Sequence, residues 1–229
     1  MKKFHTYLKT AIPAIVYMIV YLTWFRILEE IPRKDYSIIH MKIDDKIPFC
    51  EFFIIPYLFW FFYVAWIIIY LFFKNKDDYR KCCIFLFSGM TIFLIVSTLF
   101  PNIQYLRPAT MPRDNIFSTL VAHLYKIDTC TNIWPSIHVY NSLGVYFAVV
   151  NNSHLGNKKW IRTTCCALTL SIVLSTIFLK QHSMFDVMTA FILAALFYVV
   201  TYRMDILTYL KRIYFSYQNG KQKSRRYIN

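Results

Sequence analysis

Four groups of polar residues interrupt an otherwise apolar chain: Arg107 with Pro108; Pro135, Ser136, Ile137 and His138; Lys180, Gln181 and His182; and Asp186. His182 and Asp186 are four residues apart, a spacing that stacks two side chains on one helix face. A carboxylate there accepts the Nδ1 proton, fixes the imidazole tautomer and leaves Nε2 free as a nucleophile or base. Pro135 and Ser136 read as a helix start with the serine as cap, and the unpaired N–H groups beyond it attract an anion such as phosphate. Arg107 supplies bidentate charge for phosphoryl oxygens. Two histidines, an orienting carboxylate, a helix N-terminus and an arginine suit phosphoryl transfer. Taken singly, each group is ordinary: Arg107 is a snorkelling anchor and His138 a capped core histidine. A zinc site made from the same histidines and aspartate is the competing reading. It ranks second, because no other outer-side His or Glu joins them in a compact motif.

The elements that must position these groups are membrane spans. Of the 229 residues, 57% are hydrophobic and 19% aromatic, and the apolar residues gather in long blocks free of Asp, Glu and Lys. Hydrocarbon selects that pattern, and a helix that crosses it takes about 20 residues. The spans fall at 11–28, 52–73, 82–99, 135–150, 160–179 and 186–202, which predicts an all-α polytopic membrane protein: one domain over 1–229, six helices in one bundle. The fourth span is short and opens at a polar motif. The first is not read as a cleaved signal, since Arg26, Glu29 and Glu30 follow it in place of a small-residue cleavage site. Between the spans lie two long outer loops, 29–51 and 101–134. The second carries Ile116, Phe117, Leu120, Val121 and Leu124 at helical spacing. This predicts an interfacial helix at about 115–127, capped by Asp114 or Asn115.

The net charge is +14, which raises a nucleic-acid reading. Sorting the charges by span excludes it. The side holding both termini and the loops after spans two and four carries 17 basic residues against Asp77, Asp78 and Asp205, whereas the other side is neutral. By the positive-inside rule the basic side is cytoplasmic, and all four polar groups reach the outer face. The tail 203–229 is basic and reads as solvated or in contact with anionic lipid. Four of the six cysteines sit within spans and none forms a CxxC pair; Cys50 and Cys130 share the outer side, which leaves a disulfide between them open.

The polar motifs resemble the three signatures of the type 2 phosphatidic acid phosphatase (PAP2) superfamily. Pro135, Ser136, Ile137 and His138 resemble its second, PSGH. The run from Ser175 to Asp186, with His182 between, resembles its third (SR, five residues, H, three residues, D). Leu106, Arg107 and Pro108 resemble the end of its first (K, six residues, RP). The resemblance implies roles by position: His182 the nucleophile that becomes a phosphohistidine, Asp186 its orienting group, and His138 the acid that protonates the leaving oxygen and then activates water. It implies that Arg107 and Ser136 bind phosphate, and it implies no metal or other cofactor. Three positions depart from the pattern: Phe100 stands for Lys, Thr176 for Arg and Ile137 for Gly. Two cations of the phosphate cradle are therefore missing, with Lys180 or Arg113 as replacements.

The first functional reading is a membrane phosphatase acting on a lipid phosphate or pyrophosphate at the extracytoplasmic face of a bacterial plasma membrane. The second is a headgroup phosphotransferase with the same triad, as in the inositol phosphorylceramide and sphingomyelin synthase branch; a diester carries less charge and needs fewer cations. The third is an inactive member serving as transporter or scaffold, which the intact His138, His182 and Asp186 disfavour. The expected partners are a lipid substrate and the membrane, with no nucleic acid.

Overall fold

A computed structural model describes residues 2–31, 33 and 35–226. The protein is an all-α bundle, with helices α1 (Lys2–Glu30), α2 (Ile54–Lys74), α3 (Lys76–Leu99), α4 (Ile116–Ile127), α5 (Ile137–Asn151), α6 (Ser153–Gly156), α7 (Lys159–Phe178), α8 (Met184–Tyr198) and α9 (Ile206–Arg226). A π-helical turn, Val199–Arg203, extends α8. Residues 227–229, the end of the expected basic tail, lie outside the described residues.

Among the described residues, five helical segments are long and apolar enough to cross a bilayer: His5–Glu30, Glu51–Lys74, Lys76–Leu99, Lys159–Phe178 and Met184–Arg203. The region expected as the fourth span is α5, which has 15 residues. At 1.5 Å per residue it is about 22 Å long, short of the roughly 30 Å hydrocarbon core. Its environment also differs from that of the five long apolar segments. α5 packs against α2, α3, α7 and α8, and Val139 through Val145 are all buried. A helix enclosed by protein meets little lipid, so its ends need only meet the loops above and below. The outer helices show the opposite pattern. On α1 the side chains of Ile15, Val16, Ile19 and Val20 are exposed, as apolar residues facing lipid are. The inner side of α1 is fixed to α3 by Tyr17, whose hydroxyl donates to the Phe87 carbonyl at 2.9 Å, and by Trp24 Nε1 on Thr98 Oγ1 at 3.1 Å.

The two long outer loops are tied to each other. Strand β1 (Ser37–Ile38) pairs in parallel with β2 (Asn102–Ile103), with Ser37 opposite Asn102 and Ile38 opposite Ile103. Asn102 is buried, and its Oδ1 accepts from the N–H groups of Ile133 and Trp134 at 2.8 and 3.0 Å. That side chain holds the approach to Pro135 and hence the start of α5. The second loop contains α4, capped by Asn115, whose Oδ1 accepts from Ser118 N at 2.9 Å. All six cysteines are free, Cys50 and Cys130 included. The backbone of Cys50 is bonded to Phe178 and that of Cys130 to Gln104, so each follows a different partner.

The bundle closes tightly where α3 meets α5. A Cβ at Gly89 would lie 2.1 Å from Cε1 of Tyr140, whose hydroxyl donates to the Phe85 carbonyl at 2.8 Å. Gly89→Ala is therefore expected to overpack this contact and cost about 1–3 kcal/mol. Thermal unfolding in detergent measures this, and an unchanged midpoint would refute the close approach of α3 and α5.

Candidate active site

Three helix termini build the site. α7 ends at Phe178, and the chain turns through 179–183 before α8 begins. Lys180 adopts a left-handed φ of 52° in that turn, and the amides of Gln181 and His182 both donate to the Thr176 carbonyl, at 2.9 and 3.0 Å. Ser183 then caps α8: its Oγ accepts from Phe185 N at 3.1 Å, and Asp186 Oδ2 accepts from Ser183 N at 2.9 Å. This reciprocal pair is a capping box. It fixes the Asp186 carboxylate over the turn that carries His182.

The imidazole of His182 bridges two groups. Nδ1 lies 3.3 Å from Asp186 Oδ2, and Nε2 lies 3.4 Å from Nδ1 of His138. His182 precedes the Ser183 cap of α8, so the capping turn and not the expected helix face places carboxylate and imidazole together, while His138 arrives from the first turn of α5. Ser136 caps α5, accepting from Val139 N at 3.4 Å. Aromatic rings on α2 wall the back of His138, with the Trp60 centroid 4.4 Å and the Tyr57 centroid 4.8 Å from the imidazole. Tyr57 is held in turn by its hydroxyl, which donates to Asp128 Oδ2 at 2.6 Å.

Arg107 lies beside the nucleophile turn. Its Nη2 donates to the side-chain carbonyl of Gln181 and, at 2.8 Å, to the Thr129 carbonyl. Nη1 reaches the Tyr125 carbonyl at 3.2 Å, and the guanidinium stacks 4.5 Å from the Tyr125 ring centroid. Burial pushes the Tyr125 phenol above its ordinary range, with the Arg107 charge opposing. Two buried donors beside this pair have no partner, Arg107 Nε and Gln181 Nε2. Unsatisfied buried donors next to each other call for an acceptor such as an anion.

The two replacements considered for the missing cations are placed differently. Arg113 forms a salt bridge with Glu51, Nη1 to Oε2 at 2.6 Å, at the foot of α2. Lys180 is buried, and its ammonium donates to the backbone carbonyl of Asp44 at 2.6 Å. Desolvation lowers its pKa, with Asp44 and Asp45 opposing. At the positions where the signature places the cations, Phe100 is 58% exposed and Thr176 is buried with its hydroxyl on the Val173 carbonyl. The structure therefore brings His138, His182 and Asp186 together and sets Arg107 and Gln181 beside them. Ser136 is at the start of α5, and Lys180 is turned toward the first outer loop. Among the described residues no group of three or more His, Cys, Asp or Glu side chains is arranged to hold a metal.

The PAP2 superfamily model matches residues 101–207. This part of the chain belongs to the PAP2 superfamily. The matched segment runs from β2 to the first residues of α9 and contains Arg107, Ser136, His138, Lys180, His182 and Asp186. Comparison with curated proteins and with solved structures gives no match. Membership supports phosphatase or phosphotransferase chemistry in general for the PAP2 segment.

Sequence reasoning named Gln181 but gave it no role, and it passed over Tyr57, Trp60 and Asp44. Gln181 was visible as the neighbour of His182. Tyr57 and Trp60 sit in an aromatic-rich span where nothing distinguishes a wall from packing, and Asp44 lies outside every motif. Because Ser183 is the cap that sets Asp186, Ser183→Ala is expected to destabilise the protein by about 0.5–2 kcal/mol. A thermal melt unchanged from wild type would mean the cap contributes nothing.

Proposed function

We propose that the protein is an integral membrane phosphatase acting on a lipid phosphate or pyrophosphate at the extracytoplasmic face through a phosphohistidine intermediate. The observation that carries this reading is the His182 imidazole held between Asp186 and His138. With Nδ1–H directed to the carboxylate, Nε2 presents its lone pair. Attack forms the Nε2–P bond and breaks the ester P–O bond, and His138 gives its proton to the departing oxygen. Water then adds to phosphorus as His138 takes a proton from it, and the N–P bond breaks to release phosphate.

The attacked phosphorus sits about 3–3.5 Å from the nucleophile, and the acid lies a further hydrogen bond beyond the leaving oxygen. The 3.4 Å between the two imidazoles therefore has to open when a phosphoryl group enters. The open donors of Arg107 and Gln181, with the hydroxyl of Ser136, suit the phosphoryl oxygens. Lys180 contributes positive potential from within the same turn, since its hydrogen bond is to a neutral carbonyl. A lipid substrate is supported by α4, where Ile116, Leu120 and Ile127 are exposed on a short helix at the site's end of the bundle. The excess of basic residues on the opposite side supports the extracytoplasmic placement.

Phe100 and Thr176 favour a second reading, transfer of a phosphodiester headgroup to an alcohol. A diester presents one negative charge fewer than a monoester, so a cradle with fewer cations suits it. Purified protein in detergent, given a panel of labelled lipid phosphates and phosphodiesters, separates the two. Phosphate release that vanishes in His182→Ala is expected for the phosphatase, and headgroup exchange without free phosphate marks the transferase. Full activity in His182→Ala would remove the mechanism for both. Asp186→Asn is expected to lower kcat by about 10²–10⁴-fold through the wrong tautomer. Because His138 acts first as acid and then as base, the rate is also expected to be bell-shaped in pH, and a flat profile between about pH 5 and 9 would contradict that role.

A further inference from the structure

The matched PAP2 segment begins at residue 101, yet the nucleophile turn is held by a residue far outside it. Asp44 opens a single 3₁₀ turn, Asp44–Lys46, in the first outer loop, and it is 2% exposed. Every acceptor atom it carries is used. Oδ2 accepts from Ser183 Oγ at 2.5 Å and from Met41 N at 2.8 Å, Oδ1 accepts from Met184 N at 2.8 Å, and the backbone carbonyl accepts from Lys180 Nζ at 2.6 Å. Lys180 is two residues before His182, and Ser183 and Met184 are the two residues after it. One side chain and its own carbonyl thus grip the nucleophile turn on both flanks.

We propose that Asp44 is a positioning residue that clamps the turn 180–184 and so sets the His182 imidazole against Asp186 and His138. In its catalytic consequence this rests on the functional reading above. The connection to the chemistry is continuous. Ser183 donates its hydroxyl to Asp44 and its N–H to Asp186, and the same Asp186 oxygen faces Nδ1 of His182. A carboxylate fits this place because the first turn of α8 offers Met184 N–H and the positive end of the helix dipole. The loop carrying Asp44 is fixed independently, by β1 on β2 and by Cys50 N on the Phe178 carbonyl at 3.0 Å, so the clamp has a rigid base. Lys180 is the second jaw of the clamp, which accounts for an ammonium aimed at a carbonyl.

Asparagine at 44 keeps the size but replaces one of the two acceptor oxygens with a donor, so the N–H of either Met184 or Met41 loses its acceptor. Alanine removes both. Asp44→Ala is expected to lower kcat by about 10–100-fold, the loss that a displacement on the order of 1 Å brings. Asp44→Asn should fall between alanine and wild type, with KM changed less than about threefold in both. Hydrogen exchange at the amides of Ser183 and Met184 reads the clamp without turnover, and both are expected to lose protection. Wild-type kcat in folded Asp44→Asn would overturn the positioning role, and unchanged protection at the two amides would overturn the clamp itself. If Asp44→Ala does not fold, Asp44→Asn decides. A wild-type protein that turns over no phosphoester or diester would sink the functional reading alone, leaving the exchange result to decide the clamp.

Discussion

A carboxylate buried at the end of a membrane bundle must have partners, because an uncompensated charge in such surroundings is among the costliest features a fold can contain. Asp186 is fully buried, and much of this end of the molecule is organised around it. One of its oxygens takes the Ser183 amide and faces His182, which fixes the start of α8 and the nucleophile together. His182 in turn faces His138, so α5 must begin at the same height as α8. The position of α5 then depends on Asn102, which secures the backbone before Pro135.

The first outer loop belongs to this same set of constraints. Asp44 is a second buried carboxylate, a few bonds from the first through Ser183, and both share the N-terminus of α8. Such a terminus tolerates negative charge, and Lys180 adds a cation to the cluster. Two acids, one ammonium, two imidazoles and a capping serine therefore form one connected network across three chain segments. Hydrogen-bonded polar networks rigidify the elements that share them, even with Asp186 Oδ1 left without a protein partner here. That rigidity is what a nucleophilic histidine requires, since its lone pair must hold one direction.

Below the network the molecule answers to a different solvent. α1 and α2 carry exposed apolar residues along their length, Ile15, Ile19, Phe62 and Trp66 among them. Buried polar groups are drawn inward, as where Tyr63 meets Thr169 at 3.2 Å. α5 is the exception that joins the two regimes: its first turn carries His138, and its remaining length is core. It is surrounded, and at 15 residues it is shorter than α2, α3 and α7.

The all-α character and the long apolar helices were legible because hydrocarbon imposes a composition that needs no tertiary information. His182 and Asp186 do meet, but His182 lies before the Ser183 cap, so their contact comes from the capping turn and not from the helix face that a four-residue spacing suggests. The order and spacing of the polar motifs pointed to the PAP2 superfamily, which the match over 101–207 bears out. The sequence could not show that α5 is enclosed, because an enclosed helix and a lipid-facing one are both apolar. It could not show where the replacement cations point either. Arg113 meets Glu51 and Lys180 meets Asp44 across separations of 62 and 136 residues, distances over which charge and composition carry no directional information. Local spacing determined that His182 and Asp186 lie within one short stretch of chain, and only the packing of the first outer loop onto the start of α8 decided what holds that stretch in place.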